Sequence, residues 1–136
     1  MDKEIEEQIL GIKRQELKVL NREVRKSAVV LRAKLYPEIT NKELRKYALR
    51  SYDKGWDFNL SEGFYLDLVG KPCTYCGLQG KIGVDRIDTK VGYIESNCQP
   101  CCGVCNMMKF THSERDFLSK VEQIYLNRIA IIEQKA

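Results

Sequence analysis

Cys73 and Cys76 lie in Pro72-Cys73-Thr74-Tyr75-Cys76-Gly77, and Cys102 and Cys105 lie in Cys101-Cys102-Gly103-Val104-Cys105-Asn106. Two close thiolate pairs are what a structural zinc ion takes, as the four corners of a closed tetrahedron. Between the pairs runs Gly83-Val84-Asp85-Arg86-Ile87-Asp88, and Asn106 directly follows the last cysteine. Carboxylate and amide oxygens suit a second, harder cation that keeps positions open for water and an anionic group. The residue types therefore support two metals, one that builds structure and one that does chemistry. Cys98 and Cys101 form a competing pair of the same spacing. Cys102 and Cys105 are preferred, because a helix starting near Cys102 presents both thiolates from one turn. The spare cysteines read as small buried hydrophobes.

The chain around these residues is ordinary in bulk. Its 136 residues suit one domain with an appended helical arm. A hydrophobic fraction of 43% supports a modest core, and a net charge of +4 fits a polyanionic partner without demanding one. No apolar run approaches the ~18 residues of a membrane span. The opening Met1-Asp2-Lys3-Glu4-Ile5-Glu6-Glu7 is acidic and polar, unlike a secretory signal, so a cytoplasmic location is expected. In that compartment the 6 cysteines are better used for metal than for disulfides.

The elements that must position the site follow from periodicity and punctuation. Ile5, Ile9, Ile12, Leu17, Leu20, Val24, Ala28, Leu31 and Leu35 recur at mostly three and four, which predicts one long helix from residue 3 to about 35. Its charged remainder, Lys13 to Lys34, is either a solvated face or part of an arm that dimerises or lies on DNA. Pro37 ends it. Thr40-Asn41-Lys42-Glu43 has a capping-box form and predicts a helix from Lys42 to Ser51. Trp56-Asp57-Phe58 reads as a short extended connection, and Ser61 or Asn59 caps a helix from Glu62 to Val69. Val84 to Ile87 and Asn97 to Pro100 are expected strands, Gly103 to Phe110 a helix. Ser113 caps a last helix with Phe117, Leu118, Val121, Ile124, Tyr125, Ile129 and Ile132 on its apolar face.

A strand, turn, strand and helix joined by paired cysteines resembles the HNH nucleases and their ββα-metal core. The resemblance rests on Cys73 to Gly77, Asp85 to Asp88, Gly92-Tyr93, Asn97-Cys98, Pro100 to Cys102 and Cys105 to Lys109, in that order. It covers Pro72 to Lys109 and extends more loosely from Asp57 to Phe117. Phage-encoded HNH proteins carry very similar runs, so the cytoplasm in question would be that of a host. The resemblance implies that Asp85 and Asn106 hold one Mg²⁺ or Mn²⁺ ion and that Asn97 braces the loop; Lys109, three residues after Asn106 and so on the same helix face, is expected within reach of a phosphate. Cys73, Cys76, Cys102 and Cys105 would hold zinc.

One position departs from the family pattern. Where the motif has a basic histidine, this chain has Arg86, and an arginine is always protonated and is no base. Three readings follow. Arg86 clamps the scissile phosphate while Asp88 or a metal-bound hydroxide acts as base. His112, the sole histidine, supplies the base from outside the motif. Or the site is inactive and retained for binding. Alternation along a strand would also let Arg86 and Asp88 simply pair.

The expected fold is α+β and mostly helical, a zinc-stabilised ββα-metal core with a long N-terminal and a C-terminal helix. Residues 1–70 form the helical arm and packing region, and residues 71–136 the core with its final helix. The expected function is metal-dependent hydrolysis of DNA phosphodiester bonds. The alternative is an inactive zinc module that binds DNA or a protein. DNA is the expected partner, and the long helix offers a seam for a homodimer.

Overall fold

The computed structural model describes residues 3–136, without the side chains of residues 6, 7, 9, 10 and 12. The expected contributions of Ile9 and Ile12 to the apolar stripe, and the character of the first two residues, lie outside the described residues. Two compact units result, one running to Glu38 and one spanning Ile39–Ala136. The first is helix α1, Lys3–Ala33. It stops one turn before Pro37, consistent with the bias against helical geometry in residues that precede proline. Its stripe residues Leu17, Leu20, Val24 and Leu31 are all exposed. Among the described residues no helix is long and apolar enough to cross a membrane.

The second unit begins with α2, Lys42–Lys54, and α3, Glu62–Val69. The cap of α2 is Asn41 rather than Thr40: its side-chain oxygen accepts from the amides of Glu43 and Leu44 at 3.1 and 3.0 Å. The helix runs one turn beyond the expected Ser51, to Gly55 in the left-handed region at φ 68°. Glycine adopts that conformation without a Cβ penalty, so it can end the helix there. Ser61 caps α3 by accepting from Phe64 at 3.2 Å, while the other candidate, Asn59, accepts from the Glu95 amide at 3.0 Å. Asn59 therefore ties the approach to α3 to the later loop.

Strands β1, Ile82–Arg86, and β2, Cys98–Cys102, pair antiparallel with Asp85 opposite Gln99 and Val84 opposite Pro100. Helix α4, Gly103–Lys109, follows β2 without a loop. The fold is thus α+β and mostly helical, with a small two-stranded sheet leading into a helix. Helix α5, Glu114–Ile124, is capped by Ser113, passes through a wide turn at Tyr125–Ile129, and continues as α6, Ala130–Lys135. Of its expected apolar face only Phe117 is buried; Leu118, Ile124 and Ile132 are exposed.

The core joins both halves of the unit. Leu44 of α2, Tyr65 and Leu68 of α3, Val84 of β1 and Tyr93 of the intervening loop form one buried cluster. Each such side chain contributes roughly 1.5–3 kcal/mol by leaving water. Phe58 and Tyr93 form a bridge between extended segments, and a Cβ at Gly92 would strike the Asp57 backbone. Gly92 thus permits the close approach that fixes the loop between the strands. Tyr47 reaches from α2 to accept a hydrogen bond from the Val84 amide at 3.1 Å.

Candidate metal centre and cleft

The four sulfurs of Cys73, Cys76, Cys102 and Cys105 lie within 4.8 Å of one another and could hold a metal ion such as zinc. Around zinc, with bonds of ~2.3 Å, neighbouring sulfurs would stand about 3.8 Å apart. The Cys76 and Cys102 sulfurs are 3.7 Å apart, so the fit is good. The local chain explains why. Cys102 is the cap of α4, its sulfur accepting from the Cys105 amide at 3.4 Å, so the helix start presents both thiols together. Burial raises the Cys73 thiol, but hydrogen bonds from the backbone at Cys76, Cys102 and Tyr75 outweigh it and bring the group down to about 6. A thiol so tuned offers a thiolate at neutral pH, the form a metal requires.

Cys98 and Cys101 lie outside this cluster. The Cys101 sulfur donates to the Cys102 carbonyl at 3.4 Å, and the residue is 1% exposed. Burial, followed by nearby negative charge, pushes both thiols up to about 12.

On β1, next to this cluster in the fold, Asp85 is 3% exposed. Both its oxygens receive Lys109 Nζ at 3.1 Å, and Oδ2 also accepts from Gln99 Nε2 at 2.9 Å. Gln99 bonds in turn to the Tyr75 hydroxyl at 3.0 Å. Burial first, and the Asp85 charge next, raise the Tyr75 phenol well above its usual range and keep it protonated.

Lys109 is 0% exposed and gives its remaining proton to the Arg86 carbonyl at 2.8 Å. Its three donors are spent inside the protein. The phosphate contact suggested by its position on the helix is therefore replaced by an internal ion pair that fixes Asp85.

Asn97 is buried and braces the loop between the strands. Its amide nitrogen donates to the carbonyls of Asp88, Val91 and Gly92 at 3.0–3.2 Å, and its oxygen accepts from the Asp88 amide at 2.9 Å. Asp88 itself is exposed, with Oδ1 accepting from the Lys90 amide at 2.9 Å. Arg86 does not pair with it. Nη1 of Arg86 donates to the carbonyls of Thr89 and Val91 at 2.8 and 3.1 Å, and its guanidinium carbon lies 3.6 Å from the centre of the Trp56 ring. A stack of this kind contributes roughly 0.5–2 kcal/mol. Nε and Nη2 have no hydrogen-bond partner among the described residues.

Asp85, Arg86 and Asn106 line one cleft of about 470 Å³. Strict alternation would have sent Asp85 and Arg86 to opposite faces; β1 ends at Arg86, which frees its side chain to join the cleft. Asn106 is half-buried, and its side-chain amide makes no hydrogen bond to the described residues. His112 is exposed in the turn after α4 and is not part of the lining.

Residues not singled out by sequence complete the cleft. Arg50 and Lys54, four apart and therefore on one face of α2, bring two exposed cations to it. Only the i,i+4 spacing signalled them, and Lys54 lay past the expected helix end. Met107 and Phe110 bring apolar surface from α4 and its end. Phe110 has φ 50° and ψ −121°, in a turn closed by the His112 amide on the Lys109 carbonyl at 3.0 Å. That backbone suits glycine, and for a bulky residue it costs roughly 1–3 kcal/mol.

No family model matches the chain. It is 35% identical over 86 residues to an uncharacterized protein of Acanthamoeba polyphaga mimivirus, a match covering 61% of this chain but 16% of that protein. The chain thus matches less than a fifth of the length of that relative. Among solved structures it is similar to the HNH restriction endonuclease PacI, with a TM-score of 0.50 and 19% identity, covering 67% of this chain and 83% of that one. At that identity the likeness is one of fold: this chain has a ββα-like architecture.

Proposed function

We propose that this protein is an HNH-type DNA endonuclease, with zinc on Cys73, Cys76, Cys102 and Cys105 and one Mg²⁺ or Mn²⁺ ion on Asp85 and Asn106. The observation that carries the reading is the convergence of a carboxylate and an unbonded amide in one cleft, beside a four-thiol cluster and three arginine or lysine side chains. When bound, the divalent ion supplies Lewis acidity and a water that ionises more readily. Arg86, Arg50 and Lys54 hold phosphates, and Lys109 and Gln99 orient Asp85. Asn97 keeps the loop in shape. Asp88 is the proposed base: it is exposed in the loop after β1, just outside the lining of the cleft, and its Oδ2 is without a hydrogen-bond partner among the described residues. Losing a general base commonly costs about 10²–10⁴ in rate, so Asp88→Asn should slow cleavage while leaving DNA affinity near parental.

The test is plasmid cleavage with added Mg²⁺ or Mn²⁺. Asn106→Ala and Asp85→Ala should both abolish cutting with zinc content retained. Cleavage by both variants at the parental rate would place the activity elsewhere. The inactive zinc module stays as the second reading because no histidine lines the cleft among the described residues. DNA binding that weakens with salt, without metal-dependent cutting by the parent protein, would favour it.

A further inference from the structure

The cleft is not chemically uniform. Helix α2 brings Arg50 and Lys54 to it, whereas α4 and its terminus bring Met107, 75% exposed, and Phe110, 70% exposed. A single exposed hydrophobe needs no explanation. Phe110 differs because it also holds a backbone conformation that glycine would occupy without strain. Its ring is mostly in water, so burial within the chain does little to offset that strain. Strained positions of this kind gather where a ligand is gripped. Phe110 also stands four residues after Asn106, whose carbonyl accepts its amide hydrogen bond at 3.0 Å. The aromatic ring is therefore tied by backbone to the proposed metal ligand.

We infer that Phe110, with Met107 beside it, receives an unstacked nucleobase of the DNA strand whose phosphates are held by Arg50 and Lys54. This rests on the nuclease reading and deepens it. The cations select a polyanion, and a flat ring offers what a base face can use, stacking that tolerates any sequence. Bases within an intact duplex have both faces covered by their neighbours. A ring can stack only where the helix is opened by a bulge, a mismatch, a kink or a single-stranded segment. The substrate class is accordingly DNA with locally unpaired nucleotides, in preference to uninterrupted duplex.

The experiment measures binding by fluorescence anisotropy in the absence of added divalent ions, using the full chain with its zinc. The probes are a mixed-sequence single strand of about 20 nucleotides, longer than the ~4–16 covered by common single-strand modules, its perfect duplex, and that duplex carrying a short bulge. The parent should favour the single strand and the bulge. Phe110→Ala should weaken both by about tenfold, in line with the usual contribution of one stacked base, and leave the perfect duplex nearly unchanged. Phe110→Trp should retain the preference. Phe110→Gly should lose it while melting a few degrees higher, because the strain is relieved; a merely structural phenylalanine would move stability the other way.

Equal affinities of parent and Phe110→Ala for all three probes would overturn the inference alone, with the nuclease reading intact. An equal loss on all three would do the same, since it would mark a general defect. A parent that binds none of the probes overturns both.

Discussion

Cys105 and Asn106 are neighbours in sequence, yet they belong to sites of opposite character. Cys105 joins a cluster in which every ligand atom has three others close by. Asn106 opens on a cleft in which its side-chain amide has no hydrogen-bond partner among the described residues. The cluster is closed by geometry, backbone amides lower its Cys73 thiol, and three of its four cysteines are buried. The cleft has been left unfinished: Arg50 and Lys54 reach solvent, and two nitrogens of Arg86 have no hydrogen-bond partner among the described residues. A site whose groups are satisfied internally serves the fold, and one whose groups await partners serves a ligand. The two sites share a single short helix, so the first fixes the second.

Asp85 stands between these extremes. It lines the cleft, but an internal cation already pairs with it. The ammonium of Lys109 holds the carboxylate with both oxygens engaged, which keeps a buried charge tolerable without a metal. A divalent ion on Asp85 would have to share the carboxylate with Lys109 or shift it. Asn106 presents no such competition. The two proposed ligands therefore differ in what they do before any metal arrives: one is structural already, and the other's side chain has no hydrogen-bond partner among the described residues.

The largest expected effect breaks the closed site. Cys102→Ser removes a ligand and alters the cap of α4 at once, and structural zinc can contribute on the order of 10 kcal/mol to such modules. Loss of zinc by elemental analysis and loss of cooperative melting are expected. Cys101→Ser, one residue away, should keep its zinc and lose only the roughly 1–3 kcal/mol that burying a hydroxyl costs. A Cys101 variant that sheds zinc would mean that the cluster has been assigned to the wrong thiols.

Next in size is the ion pair. Lys109→Met leaves Asp85 buried without its cation and should cost about 3–5 kcal/mol in denaturant unfolding, with zinc content unchanged. Adding Asp85→Leu should restore much of that loss, since replacing both charges by apolar groups is often neutral. If the single variant is as stable as the parent, Lys109 does not hold Asp85 in a buried ion pair, and the carboxylate is available to the cleft.

Much of this architecture could be read from punctuation. Ser113 marked one helix start and Ser61 or Asn59 another because capping chemistry is local, and Ser61 proved to be the cap. The preference for Cys102 over Cys98 rested on the same reasoning, that one helical turn presents both thiols. What escaped notice depends on tertiary packing. Lys109 and a solvated lysine look alike in sequence; only the approach of α4 to β1 takes its ammonium out of water. Gln99 became relevant through register, standing opposite Asp85. Arg50 and Lys54 sit on a helix outside the motif, and nothing local ties them to residues some thirty positions later. Phe110 was expected to be the last residue of a helix, whereas it is the point at which the chain turns sharply away.

The smallest effects sharpen the boundary between fold and ligand within the cleft itself. Arg86 does both jobs in the proposed reading, because its guanidinium stacks on Trp56 and donates to two carbonyls while lining the cleft. Arg86→Ala should therefore lower stability by roughly 1–3 kcal/mol, as charged-group hydrogen bonds and a cation stack are lost together. It should also reduce the salt dependence of DNA binding. Arg50→Ala should leave stability within about 0.5 kcal/mol of parental, since an exposed side chain is removed. Its mark should fall on DNA alone: each lost phosphate contact lowers the slope of log affinity against log salt by about 0.9 on duplex and ~0.7 on single strands. Arg50→Ala and Lys54→Ala together should lower it about twice as much as either alone. Titrations at several salt concentrations, paired with denaturant melts, give both quantities. A slope unchanged in the double variant would remove α2 from the DNA path and leave Arg86 as the cleft's phosphate contact, with stability and binding then carried by one residue.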